Sequence, residues 1–300
     1  MMTSHNVSDH HDVSTAVAAD YDRFELLCLH GSPYSERIRW ALKVLQVDDY
    51  ALLKHEVCTG ELTLRYKVGR WNPWHRVTVP VAFVSYADKN RPLLILEDGL
   101  DIVEWANDVV QSRRGAQETS AEDKKHALDL IPPSHRKEVL EYCNIADETL
   151  DYGRGCFTEK LIRNPQLLKN FLEKGQAPPD FLLPLVACVA SFFMRTKYRS
   201  TMQDGETKRK NIEFNLERIQ QIIQEKQRQS DSADKICNLI GESLTLADLY
   251  LAVAVTFPIP NADEDEQENA SVEDLNIRKK FPILYQWAVE LSKQYDRTSP

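Results

Sequence analysis

Short apolar runs dominate the first hundred residues, and helix-period apolar stripes dominate the remainder. Residues 24–30, FELLCLH, form an apolar run closed by Gly31 and predict a buried strand. From Pro33, Tyr34, Ile38, Ala41, Leu42 and Leu45 recur at i, i+4, i+7, i+8 and i+11, one face of a helix. Arg37, Arg39 and Lys43 lie off that face. Pro33 suits the first turn, where its missing N–H breaks no bond. Residues 50–57 predict a second strand and 79–86 a third; 93–97 returns as a fourth after the turn-rich 87–92. A helix is predicted from Gly99 to about Val110. Residues 58–76, with Trp71 and Trp74, carry no clear local pattern.

This order, β-α-β-x-β-β-α, is a βαβ unit followed by a hairpin and a closing helix, which is the order of a thioredoxin-like fold. Composition then shifts. Residues 111–122, QSRRGAQETSAE, are polar without apolar periodicity and read as a linker. Everything beyond reads as helical, so the division is a tail at 1–22, an α/β domain at 23–110, the linker, and an all-α domain at 123–300. Residues 134–162 form one long helical pattern with expected interruptions at Gly153 and Gly155. Ile212, Leu216, Ile219 and Ile223 mark a second amphipathic helix.

The strongest local signal in this half is SLTLADLYLAVAVTF, 243–257. Thr245 and Asp248 stand at capping-box spacing, with Leu244 and Leu249 placed as a hydrophobic staple. The helix they open is apolar all round, so it is expected at the centre of the domain, and Pro258 ends it. The acidic stretch 261–275 reads as a solvated surface loop.

Composition narrows the function classes. The formal charge of −9 gives no basic face for a phosphate backbone, so nucleic acid is not an expected partner. The longest apolar run, FLLPLVACVASFFM at 181–194, is too short to span a bilayer and reads as a buried helix. The first residues lack the basic and apolar regions of a secretory signal, and the first arginine is Arg23, so a cytoplasmic location is expected and no membrane. The 1–22 tail reads as disordered; His10 and His11 fit that better than a metal. Six cysteines are scattered without C-x-x-C or zinc spacing, so no metal is expected and they read as small apolar residues.

Residues 32–35, Ser-Pro-Tyr-Ser, would be a glutaredoxin's Cys-Pro-Tyr-Cys if both serines were cysteines. Lacking both sulfurs, the loop cannot form its own mixed disulfide. Four stretches together resemble the soluble glutathione transferases: LHGSPYSERIRWAL at the first strand and helix, NPWHRVTVPVAFV at 72–84, ILEDGLDIVEWA at 95–106, and LTLADLYLA at 244–252. The first is most similar to the serine-type tau class, with omega-like enzymes next.

The resemblance implies a thioredoxin-like glutathione-binding domain followed by an all-helical domain, acting on glutathione as co-substrate. Ser32 would stabilise the glutathione thiolate, with the alternative that it merely caps its helix. Pro80 would follow a cis bond, and Val79 would pair with the cysteinyl backbone. Glu97 would hold the γ-glutamyl amine, and Arg76 would meet the glycyl carboxylate or lie on the surface. Asp98 departs from the family's Ser or Thr, placing a carboxylate where a hydroxyl would receive the γ-glutamyl carboxylate; it is equally a good N-cap. Tyr34, Tyr152, Arg154 and Cys156 are candidates for the second-substrate pocket, with packing as the plainer reading for Tyr34, Tyr152 and Cys156. The implied activity is conjugation of glutathione to a small hydrophobic electrophile in detoxification, or peroxide reduction, by a homodimer. The alternative is a transferase-fold binding or regulatory protein with little catalysis.

Overall fold

The computed structural model describes residues 21–55, 60–71, 77–116, 128–164, 188, 192, 205–229, 236–257 and 276–297. The expected tail from 1 to 20, the second half of the linker, Arg76, most of 181–194 and the acidic stretch 261–275 lie outside them.

Four strands form one sheet in the order β2-β1-β3-β4: β1 is Tyr21–Cys28, β2 Tyr50–Lys54, β3 Val81–Tyr86 and β4 Leu94–Leu96. β2 lies parallel to β1, which requires the crossover helix α1, Pro33–Val44. β3 runs antiparallel to β1, and β4 antiparallel to β3. β1 is central and covered on both faces, so its side chains are apolar in succession rather than alternating. Phe24 and Leu26 pack with Ala82 and Val84 toward α1 and α3 (Gly99–Ala116). Leu27 packs with Val81 and Phe83 on the other face, against Leu64 and Val68 of α2, Gly60–Val68.

α2 is the helix the local pattern did not reveal. Its apolar side chains divide, Leu64 and Val68 buried and Leu62 and Tyr66 facing solvent, so they trace no single stripe. β1 begins at Tyr21, inside the expected tail, because its first residues pair with the far end of β3. α3 continues to Ala116, past the expected boundary at 110 and into the polar stretch read as linker.

The second half has helices and no strand among its described residues: α4 is Arg136–Arg163, α5 Gly205–Gln229, α6 Leu246–Thr256, α7 Ile277–Lys280 and α8 Pro282–Gln294. α4 runs unbroken through Gly153 and Gly155, correcting the expected interruption. A mid-helix glycine costs about 1 kcal/mol, which tertiary packing overrides. α5 buries Ile212, Leu216, Ile219 and Ile223, the stripe read from the sequence.

α6 is buried from Leu246 to Val255 and forms the centre of this half. The fully buried Asp248 carboxylate organises its start, accepting from Leu239 N–H at 2.7 Å, Thr245 N–H at 2.8 Å and Thr245 Oγ1 at 2.7 Å. Burial raises its pKa, and these three donors oppose the rise. One continuous core joins the halves, running from β1 through α1 and α3 into α4, α5, α6 and α8. The architecture is a thioredoxin-like domain followed by an all-α domain, as the order of elements along the sequence predicts.

Candidate functional site

Sheet register brings the candidate residues to one end of the sheet. β1 exits at Cys28 toward the loop that carries Ser32. Val81 pairs with Leu27, so Val79 and Pro80 stand beside that exit. Leu96 pairs with Ala82, so Glu97 and Asp98 emerge at the same end. Residues spread over 67 positions of sequence, from 32 to 98 inclusive, are thereby gathered by strand pairing alone.

Ser32 is the N-cap of α1, with extended backbone at φ −83° and ψ 125°. Gly31 before it has φ +68°, which makes the tight turn out of β1 and which other residues rarely adopt. Ser32 N–H donates to the Leu29 carbonyl at 3.2 Å, and its own carbonyl receives Glu36 N–H at 2.9 Å. Its side chain makes no capping bond. The hydroxyl is therefore not spent on the helix it starts. Ser35 is spent: its buried Oγ accepts from Leu29 N–H at 3.1 Å and holds the turn closed.

The Val79–Pro80 bond is cis, with Val79 half-buried and Pro80 buried. Asp98 caps α3, its Oδ1 accepting from Leu100 N–H at 2.7 Å and its carbonyl from Ile102 N–H at 3.1 Å. It is exposed and has no cationic partner among the described residues. Glu97 meets Arg70, which follows α2: Nη2 lies 3.1 Å and Nε 3.2 Å from Oε1. Gly99 packs closely, since a Cβ there would lie 3.0 Å from Ile38 Cδ1, which would have to give way, and 3.6 Å from the Tyr250 hydroxyl. That hydroxyl is buried and has no hydrogen-bond partner among the described residues.

Behind α1 the two halves meet through charges. Tyr34 donates its hydroxyl to Asp151 of α4, and its ring is flanked by the guanidinium carbons of Arg37 at 5.0 Å and Arg154 at 4.9 Å. Arg154 also binds Asp151. Arg37, off the apolar stripe of α1, is nonetheless buried: it pairs with Asp147 and lies 4.0 Å over the Tyr250 ring. The helical half covers the face of α1 that would otherwise be solvated. Burial pushes the Tyr34 hydroxyl well above the usual phenol range, with Arg154 opposing, so it remains a donor. Burial likewise raises Asp147, against the pull of Arg37.

Tyr152 is buried on α4, and Cys156 is half-buried against the same core. Arg76 lies outside the described residues. Reading the chain locally missed Arg37, Asp147 and Asp151, and named Arg154 without its partner Asp151. Their signal was present as Asp147, Asp151 and Arg154 at i, i+4 and i+7, a charged stripe along a helix that is otherwise half apolar. Among the described residues no group of His, Cys, Asp and Glu is arranged to hold a metal ion, no cysteine is in a disulfide, and no helix is long and apolar enough to cross a membrane.

Neither a family model nor a curated protein matches the chain. Solved structures similar to it include a glutathione S-transferase from Methylobacillus flagellatus KT with GSH bound, 15% identical, covering 92% of this chain and 99% of that one at a TM-score of 0.49. Glutathione transferase Xi 1 from Trametes versicolor is 17% identical over 94% of this chain and 83% of its own, with a TM-score of 0.48. A Tau class glutathione S-transferase from mango, Mangifera indica, is 18% identical over 90% and 88%, with a TM-score of 0.46.

Proposed function

We propose that the chain is a serine-type glutathione transferase of the cytoplasm, acting as a homodimer. It binds glutathione along the end of the sheet where β1, β3 and β4 converge, and Ser32 stabilises the thiolate for attack on a small hydrophobic electrophile or a peroxide. The observation that carries this reading is Ser32 itself: a hydroxyl at the N-terminal end of a twelve-residue helix that makes no capping bond. A helix N-terminus favours an anion. Lowering a thiol pKa by ~2 units takes ~2.7 kcal/mol of preference for the anion. A hydrogen bond to a charged group supplies about 1.5–3 kcal/mol, and the helix end adds ~0.3–1 kcal/mol. The sum suffices without a cysteine. Val79 offers its backbone to the cysteinyl residue, Glu97 holds the γ-glutamyl amine, and Arg76 takes the glycyl carboxylate.

A second reading, a transferase-fold binding or regulatory protein with little catalysis, is favoured by one feature. Glu97 is already engaged by Arg70, and Asp98 adds an unpaired carboxylate beside it. Titration calorimetry with reduced glutathione separates the two. Saturable binding at millimolar affinity or tighter supports the transferase; no heat at any workable concentration supports the binding protein.

A further inference from the structure

We infer that Arg297 is a positioning residue for the thiolate site: it cancels the Glu36 carboxylate in the first turn of α1 and so leaves the positive end of that helix to the sulfur held at Ser32. The inference rests on the glutathione reading above and extends it to a part of the chain far from the candidate residues.

Glu36 is the one acidic residue in the first turn of α1. Its backbone N–H donates to the Ser32 carbonyl at 2.9 Å, so the two residues are consecutive on one helix face. At 1.5 Å rise per residue, four residues separate them by about 6 Å along the axis. Both residues belong to the start of α1, so an uncancelled carboxylate on Glu36 would repel a thiolate held at Ser32 and offset the helix end. Arg297 prevents this: its Nε lies 2.6 Å from Glu36 Oε1, with the two side chains only 10% and 8% exposed. Water cannot do the screening there, so the cation must.

Arg297 is held in place. It donates to Thr256 Oγ1 at the end of α6, and its N–H to the Ser292 carbonyl at 2.8 Å. Residues 295–297 cross α1 as a strap. Trp40 Nε1 donates to the Tyr295 carbonyl at 3.0 Å, and Lys43 Nζ to the carbonyl and Oδ2 of Asp296 at 2.9 and 2.7 Å. Glu36, Trp40 and Lys43 stand at i, i+4 and i+7, so the strap grips one complete face of the helix.

The other charges around the helix start are accounted for. From α4, Asp147 is paired with Arg37 and Asp151 with Arg154. At the head of α3, Glu97 is paired with Arg70. Asp98 caps α3, and Tyr34 and Tyr250 remain neutral. Arg39, Lys43, Asp48 and Tyr50 line one pocket with Glu36, where Lys43 is paired with Asp296 and no ion pair joins Arg39 to Glu36 among the described residues. Glu36 is thus the carboxylate whose neutralisation depends on the strap.

The test is the pH titration of the thiolate absorbance of bound glutathione. Arg297→Gln is expected to raise the thiol's apparent pKa by about 0.5–1.5 units, lowering the thiolate fraction below that pKa about 3–30-fold. Arg297→Lys should keep the wild-type value. The double variant Glu36→Gln/Arg297→Gln lacks the ion pair but also the stray charge, and should return to it. A contact that merely braces the fold gives the opposite pattern, with the double variant as impaired as the single. The inference is overturned if Arg297→Gln titrates like wild type, or if the double variant stays as high as Arg297→Gln. Should Arg297→Gln fail to fold by circular dichroism, Glu36→Gln alone decides: it should lower the thiol pKa, and an unchanged value overturns the inference. A wild-type protein that shows no thiolate band with glutathione overturns the proposed function and this inference together. A wild-type band unmoved in the variants overturns this inference only.

Discussion

The Tyr34 hydroxyl donates to the carboxylate of Asp151, 117 positions later in the chain. Tyr34 stands two residues after Ser32, in the first turn of α1, and Asp151 is midway along α4. The start of the candidate catalytic helix is therefore tied to the helical half, and the tie is half-buried. With Arg37–Asp147 one turn further on, it fixes α1 against α4 at two successive levels.

Tyr34→Phe removes that bond while keeping the ring between the two arginines. Asp151 retains Arg154, so the loss should resemble that of one hydrogen bond to a charged group, about 1.5–3 kcal/mol. Urea unfolding at neutral pH measures it. An unmoved midpoint would show that the bond contributes nothing to joining the halves.

Ser32→Ala should lower conjugation of glutathione to an aryl halide by about 10–1000-fold, the range for losing one preorganised donor at a developing anion. The bound thiol's apparent pKa should rise in parallel. Because the Ser32 side chain makes no capping bond, stability should change little. Wild-type turnover in this variant would remove Ser32 from the chemistry.

Asp98 presents a carboxylate where the proposed pose brings the γ-glutamyl carboxylate. Asp98→Asn retains the oxygen that caps α3 through Leu100 N–H and removes the charge. Glutathione should bind about 5–30-fold more tightly, read by calorimetry. Affinity that is unchanged or weaker would place the ligand's carboxylate elsewhere.

Cys28 closes β1 and is buried, which pushes its thiol from the ordinary 9.0 up to about 11, opposed by Ser35 and Arg39. Between those values the unfolded chain loses the proton and the folded chain keeps it. Stability from this group is whole below pH 9 and is lost as pH rises through 11. Cys28→Ala should flatten the alkaline limb of the stability profile over that window, measured by denaturant midpoints. An aromatic disulfide reagent should leave Cys28 unmodified in the folded protein at pH 8. Rapid modification there would contradict its burial.

Much of the fold was legible because its signals are local. The run 24–30 and the segment 79–86 are apolar in succession because β1 and β3 are sandwiched between helices, and a sandwiched strand needs no alternation. The α6 cap was legible in detail, since Thr245 and Asp248 interact across three residues whatever surrounds them. α2 was not, because its apolar residues are split between the core, at Leu64 and Val68, and solvent, at Leu62 and Tyr66, and leave no stripe. The breaks expected at Gly153 and Gly155 were a local penalty that long-range packing outweighed.

For the site, the chain by itself determined which residue types stand at the turn after β1, before β3 and after β4. Each is specified by a short motif and by backbone requirements within a few residues. That these turns share one end of the sheet follows from strand register, which a short-range pattern does not contain. The partners of the charges are further removed still. Arg37 lies off the apolar stripe of its own helix, and only the approach of α4 makes it a buried cation with Asp147. Glu36 reads as an ordinary first-turn acid until Arg297, 261 residues on, pairs with it. Hydrophobic periodicity reports which face of an element is covered. It does not report by what, because burial is non-directional, whereas an ion pair depends on the particular side chains that the tertiary packing brings together.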